Sequence, residues 1–378
     1  MATPDSRPGH SPLTKSINRI HSHFLWLLLG CYALAAMFPE PGLAIREFSL
    51  GSKARVPFLL LALLLFCASA VVRWSQVRDL LQRPGILLIG LIAIWIVPGI
   101  FVSALGWILP GLLGKSATTG MLVGLAIVAA MPVANSSVAW SQNAHGNVAL
   151  GLGLIVLTIV LCPVATPQML NLMGLSLSSA ETEKCTQLVR ELSGTFFIVW
   201  VILPALAGVV FNRILGPQRI DRSRGSLRLL SAITLLMLNY VSASLAFSGT
   251  LDDNGAQILL FGEEAGKTII VSGLLAIALS VLGIVSAWVI SRALKLGRAS
   301  WTSLIFGLSM KHTGLALVLA GNVLHEEPRV MLMILLATLL QHVVAGAADW
   351  YLARHGGREG KTVTERQRSR GDLSEKTH

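Results

Sequence analysis

Charged side chains are scarce in this sequence: Asp, Glu, Lys and Arg make up 13% of its 378 residues, whereas 53% are hydrophobic. A water-soluble domain draws about a quarter of its residues from those four types, so that class is excluded. Cysteine is sparse too. Cys31, Cys67 and Cys162 fall inside apolar runs and Cys185 in a loop between them, so no pair is placed for a disulfide, and no CxxC occurs for a metal. The motifs of catalysis are also missing. There is no GxxxxGK(S/T) phosphate loop, no HExxH, no GxSxG and no pair of acids inside an apolar run. This removes an ATP-driven pump acting alone and leaves no constellation for an enzyme. The chain is expected not to be an enzyme and to carry no cofactor.

What the sequence does have is long apolar runs, of about the 20 residues that a helix needs to cross the hydrocarbon core. They can be drawn at 24–40, 56–72, 84–108, 116–143, 147–170, 191–212, 227–248, 267–291, 301–325 and 329–352. They are continuous, as in Leu59-Leu60-Leu61-Ala62-Leu63-Leu64-Leu65, without the alternation of a transmembrane barrel. The expected fold is an all-α membrane protein of ten transmembrane helices. The first run has a second reading as a cleavable signal peptide, since Lys15 and Arg19 precede it and Ala33, Ala35 and Ala36 are small. Nine remaining spans would break the two-half organisation described below.

The net charge of +11 is distributed as a topology signal rather than as a nucleic-acid footprint. With the N-terminus in the cytoplasm, the inner loops and both tails carry 21 Lys or Arg, the outer loops eight, and Lys311 lies inside a span. Both termini are therefore expected in the cytoplasm of an inner-membrane protein, with the bilayer and not a nucleic acid as its partner. Arg213, Arg219, Arg222, Arg224 and Arg228 form the densest inner cluster, and anionic lipid is a secondary contact for it. The expected domains are a cytoplasmic segment 1–23, a transporter domain 24–352 and a disordered basic tail 353–378.

Division near helix 6 leaves five spans on either side. An odd number makes the second half enter from the opposite face, the arithmetic of two inverted repeats, about 24–170 and 191–352. In each half the fourth span loses its apolar continuity. Helix 4 reads Met131-Pro132-Val133-Ala134-Asn135-Ser136-Ser137, with Ser141, Gln142 and Asn143 beyond, and helix 9 reads Ser309-Met310-Lys311-His312-Thr313-Gly314. Unwound backbone in hydrocarbon leaves N–H and C=O groups that are costly unless protein, water or a solute satisfies them. Pro132 removes a donor and disfavours helix at Met131, and Gly314 permits unwinding in the partner. The half-helices that follow present free N–H groups and positive dipole ends. Helices 4 and 9, broken and crossing near the midplane, would create an electropositive spot suited to an anionic solute. The alternative use of Asn135, Ser136 and Ser137 is hydrogen bonding between packed helices, and Gly120, Gly124, Gly151 and Gly153 read as close-packing positions.

Lys311 is the one charge inside a span, where a cation costs about 2.5–3.5 kcal/mol on insertion scales. No carboxylate lies at its depth, since Glu191 and Asp349 fall at helix ends. Lys311 is expected to face water, backbone carbonyls or a bound anion, or to be partly neutral, with snorkelling as the alternative. His312 is open between a packed side chain and a proton relay.

These residues carry a resemblance to the bile acid:sodium symporter family. It extends over about 24–352 and is strongest in MPVANSSVAWSQNAHGNVALGLGLIVLTIVLCP, from Met131 to Pro163, followed by Thr166-Pro167, and in GLSMKHTGLALVLA, from Gly307 to Ala320. The resemblance implies a panel of helices 1, 2, 6 and 7 moving against a core of helices 3–5 and 8–10, and transport of an organic anion, typically with sodium. It places polar groups near the substrate at Asn135, His312, Thr313 and His342, which with Ser136, Ser137 and Lys311 form the candidate substrate site. The positions matching the family's first sodium site read Ser137, Val138, Gly151 and Ile155, with three of four oxygen donors replaced. Those matching the second read Gly307, Lys311 and Ile94, none with a side-chain oxygen for a hard cation. The expected function is secondary transport of a small organic anion by alternating access. The Lys311 ammonium would either replace the second sodium, making transport sodium-independent, or exchange a proton during the cycle. A membrane sensor or scaffold that binds a ligand without moving it stays open. So does a cation/proton antiporter, although such carriers usually need buried acids, which this core lacks.

Overall fold

The computed structural model describes residues 24–50, 54–72, 84–192, 195–248, 263–325 and 327–375. The expected cytoplasmic segment 1–23 lies outside them. The described chain is helical apart from one two-residue hairpin, β1 (Ser49–Leu50) and β2 (Ala54–Arg55). The helices are α1 (Phe24–Met37), α2 (Pro39–Glu47), α3 (Val56–Ala70), α4 (Pro84–Leu113), α5 (Lys115–Ala130), α6 (Ser136–Asn143) and α7 (Val148–Gly174). They continue with α8 (Ser179–Leu192), α9 (Thr195–Phe197), α10 (Leu203–Ser248), α11 (Glu263–Ala293), α12 (Arg298–Ser309), α13 (Thr313–Val323) and α14 (Pro328–Glu375). A π-helical turn, Ile198–Ile202, joins α9 to α10.

The apolar runs drawn from the sequence are helical over most of their described residues, since a chain without water must satisfy its backbone internally. Five stretches are long and apolar enough to cross a bilayer: Pro84–Leu113, Val148–Gly174, Thr195–Ser248, Gly266–Ala293 and Pro328–Arg354. The pair Leu25–Met37 and Pro39–Glu47, bent by 92°, is a sixth if taken as one span. Large apolar side chains point outward, among them Ile100, Trp107, Leu112, Val164 and Ile214, while Asn239, Ser244, Thr302, Lys311 and Gln341 are buried. That inversion of the water-soluble pattern defines a multi-pass all-α membrane protein.

Several local expectations are corrected. The first run breaks at Phe38, because Pro39 opens a new helix rather than continuing the old one. α10, of 46 residues, would be about 69 Å long if straight. Gly216 divides it with φ 73°, a conformation that glycine adopts without a Cβ penalty. Cys185 is not in a loop. It lies in α8, whose Glu181, Cys185 and Leu188 are buried at helical spacing under a polar outer face. The backbone of α14 is helical to Glu375, across most of the expected basic tail. Extending a formed helix costs little, and this stretch is rich in Lys, Arg, Glu and Gln.

The helices pack as two groups. α1, α2, α3 and α10 lie on one another, while α4–α7 and α11–α14 form the other group, with α8 laid against α5, α7 and α13. Within the second group Gly120 and Gly124 bring α5 close to α14. A Cβ at either would lie 2.7 Å from the Cβ of Arg329 or Met333, so both act as close-packing positions. α10 meets α13 and α14, and α3 meets α13, along the boundary between the groups. Tyr32 of α1 bridges it, its hydroxyl lying 3.0 Å from Asn239 Oδ1 and 3.2 Å from the Leu335 carbonyl oxygen.

Candidate functional site

The two sequence breaks meet. Met131 leaves α5 in an extended conformation (φ −69°, ψ 152°), as Pro132 requires of the residue before it, and Met310 leaves α12 at φ −114°, ψ 120°. The extended stretches run antiparallel, paired at Val133 and Lys311. The Ala134 N–H donates to the Met310 carbonyl (3.0 Å) and the His312 N–H to that of Pro132 (2.8 Å). Unwound backbone inside a helical membrane protein is thus satisfied by a second unwound stretch. Gly314 is not part of the break. It lies within α13, where a Cβ would stand 3.4 Å from side-chain atoms of Leu64 and Leu238, so it serves close packing instead.

Lys311 is 2% exposed, and its ammonium faces backbone oxygens. Nζ donates to the Ile94 carbonyl and lies 3.4 Å from that of Met131. Both acceptors are left over by helix chemistry. Pro98 has no N–H for the carbonyl four residues before it, which is Ile94, and Met131 ends α5. The adjacent Ala130 carbonyl is taken by Trp95 Nε1 (3.0 Å) and Thr166 Oγ1 (2.8 Å). The snorkelling alternative for Lys311 is thereby corrected, because the side chain turns inward onto these oxygens.

His312 is the N-cap of α13, and its Nδ1 accepts from the Leu315 N–H at 3.1 Å. In a neutral ring Nε2 then carries the proton. Nε2 lies 3.4 Å from the nitrogen of the Asn135 amide, whose oxygen has no partner. Rotating that amide by half a turn places Oδ1 to accept from Nε2, which gives the buried oxygen its bond. Asn135 and His312 are therefore in contact across the crossover. Ser137 is buried with its hydroxyl unpartnered, while Ser136 is half-buried at the first position of α6.

Thr313 is brought in through a residue that sequence reasoning missed. Gln341 on α14 accepts from the Lys311 backbone N–H at 2.9 Å and donates to Thr313 Oγ1 at 3.3 Å. His342 instead turns along its own helix, with Nδ1 2.7 Å from the Thr338 carbonyl oxygen. The signal for Gln341 was a second polar residue inside an apolar run, which in a bundle faces the interior. Thr158 on α7 was also missed. It accepts from the Val133 N–H (3.2 Å) and donates to the Ile155 carbonyl (3.0 Å).

Apart from Ser137 and Lys311, the positions compared with sodium sites are filled by packing. Val138 and Ile155 are buried, and a Cβ on Gly151 would lie 3.2 Å from Val138 Cγ2. Gly307 faces Leu154, and Ile94 contributes its backbone oxygen rather than its side chain. These donors do not fit sodium at the first set of positions, and the Lys311 ammonium meets the carbonyls near the second.

A multi-pass helical bundle whose two interrupted helices are joined at a buried lysine has the architecture of a membrane transporter. Residues 22–356 match the model of the SBF-like CPA transporter family, and the chain belongs to that family. It is also similar to the uncharacterised protein YbaS of Bacillus subtilis strain 168, at 24% identity over 315 residues, 83% of this chain and 93% of that protein.

Proposed function

We propose that this protein is a secondary transporter of a small organic anion, akin to the bile acid:sodium symporters but independent of sodium. In this reading ten spans form two inverted repeats in the inner membrane, with both termini cytoplasmic, and the two helix groups alternate about the crossover. The observation that carries it is the antiparallel joining of the breaks at Val133 and Lys311. The half-helices α6 and α13 begin there, so their positive dipole ends converge on one place, although the N–H groups of Ser137, Thr313 and Leu315 already bond to Ala134, Lys311 and His312. Asn135, Ser136, Ser137, His312 and Thr313 supply polar atoms beside those ends. Lys311 holds two carbonyls by its fixed ammonium, the task a coupling cation performs when it is bound and released. No cofactor, nucleic acid or enzymatic step enters the cycle.

Counterflow of labelled organic anions in proteoliposomes, with and without a sodium gradient, tests the reading. Saturable counterflow unchanged by sodium is expected. Sodium-dependent uptake removes the proposed role of Lys311, and binding without counterflow favours a membrane sensor. A cation/proton antiporter is the second reading, favoured by Lys311 as a buried protonatable group. Among the described residues, however, no carboxylate bonds to it. A pH gradient that drives alkali-cation flux in the same vesicles would establish that reading.

A further inference from the structure

Two neighbouring helices carry the same motif where their apolar stretches, Gly266–Ala293 and Pro328–Arg354, come to an end. In α11 it reads Trp288-Val289-Ile290-Ser291-Arg292, and in α14 Trp350-Tyr351-Leu352-Ala353-Arg354. That spacing sets each arginine one turn beyond its tryptophan on the same helix face, with the arginine leaning back over the ring. The Arg292 guanidinium carbon stands 5.4 Å from the centre of the Trp288 ring, and that of Arg354 stands 4.0 Å from the Trp350 ring. All four side chains are exposed, Trp288 at 49% and Trp350 at 57%.

Both motifs lie at one end of the bundle and on one side of it. The turn 294–297 reverses α11 into α12. Arg298, at the start of α12, donates to the Leu352 carbonyl at 2.7 Å, and just past its end the Lys311 N–H donates to Gln341. α12 is thus antiparallel to both α11 and α14, which run parallel to each other. They touch at Gly273, where a Cβ would meet Leu340 Cδ1 at 3.6 Å. From that contact Trp288 and Trp350 lie about 22 Å and about 15 Å along their axes in the same direction. At about 100° per residue from it, both tryptophans fall on the side away from α12 and the crossover, which Gly283 and Gln341 face. Ile277, Val281 and Val343 are exposed on that same side.

The surface is therefore apolar along its length and cationic at one end. An indole suits the level of the lipid headgroups. A guanidinium stacked through its flat face keeps its N–H groups at the edge, where they can grip a phosphate as a fork. Stacking also holds two long side chains in place, so less rotamer freedom is lost when an anion arrives. Lys295, exposed in the turn after α11, adds a further cation. Asp349 precedes Trp350 but lies on the α6 side, where His145 attracts it. A soluble phosphate would answer the arginines alone, whereas a lipid also covers the apolar face that runs on from them. We propose that the outward surface shared by α11 and α14 binds an anionic glycerophospholipid, its phosphate held by Arg292 and Arg354 and its acyl chains lying along Ile277, Val281 and Val343. This surface is apart from the crossover and does not depend on which solute is carried.

The test is native mass spectrometry of the full-length protein, stripped of lipid in detergent and titrated with palmitoyl-oleoyl phosphatidylglycerol or with phosphatidylcholine of the same chains. The first phosphatidylglycerol is expected to bind about tenfold more tightly than the first phosphatidylcholine. Arg292→Gln combined with Arg354→Gln should cut that preference to about twofold or less. The corresponding pair of Arg→Lys substitutions keeps the charge without the planar fork and should fall between. Arg219→Gln combined with Arg222→Gln removes the same charge from two exposed arginines elsewhere and should leave the preference intact. All the substituted arginines are exposed, so unchanged unfolding temperatures in lipid-free detergent are expected and check the fold. Equal binding of the two lipids by the wild type, or an unaltered preference in the Arg292 and Arg354 variant, overturns the proposal. Equal losses in the two Arg→Gln pairs also sink it, by assigning the preference to general surface charge. Displacement of bound phosphatidylglycerol by glycerol 3-phosphate does the same, by assigning the arginines to a soluble phosphate.

Discussion

At the scale of single residues, Lys311 and Pro98 form a coupled pair that sequence distance hides. Proline at position 98 leaves the Ile94 carbonyl without its helical donor, and Lys311 supplies one. Lys311→Met should therefore expose that orphan and cost about 1–3 kcal/mol of stability, read as a lower unfolding temperature in detergent. Pro98→Ala returns an N–H to the same carbonyl. Adding it to the Lys311→Met background should recover part of the loss, giving a non-zero coupling in a double-mutant cycle. Strict additivity would mean that the ammonium does not act through that oxygen. Lys311 itself was legible in the sequence as a charge in a span that has to find backbone, water or a ligand. Its acceptors were not legible, because a carbonyl belongs to every residue and only a fold decides which ones are left over.

At the scale of elements, the interruptions in helices 4 and 9 were readable because Pro132, Asn135, Lys311 and His312 break apolar runs. The amphipathic α8 was not, since a scan for continuous hydrophobicity passes over a helix that buries only one face through Glu181, Cys185 and Leu188. The bend at Phe38 and the division at Gly216 also fell inside segments whose composition alone reads as continuous or as loop. Helix packing adds a constraint with a sharp test. A Cβ at Gly283 of α11 would lie 2.4 Å from the Leu308 carbonyl oxygen, whereas Gly266 on the same helix has nothing within 4 Å. Gly283→Ala should push α11 from α12 and destabilise the protein by about 1–3 kcal/mol. Gly266→Ala should be neutral or slightly stabilising, as expected for Ala over Gly in a helix. Equal unfolding temperatures for the two variants would show that the close approach carries no weight.

At the scale of the whole molecule, orientation is the largest inference drawn from charge. With the four native cysteines replaced, His325→Cys should react with a membrane-impermeant maleimide in intact cells. Lys295→Cys should react only after permeabilisation. The reverse pattern would invert the topology. The sequence by itself determined the class of this protein, because the length and continuity of apolar runs are local properties that the bilayer reads one segment at a time. It also marked both interruptions, because a proline or a charge within such a run has few places to go. Only the tertiary structure decided that Val133 pairs with Lys311, that Gln341 rather than His342 reaches the crossover, and that Arg46 meets Gly321. Those contacts join residues far apart in the chain, often through backbone atoms common to all amino acids, so they take their specificity from the positions that packed helices impose.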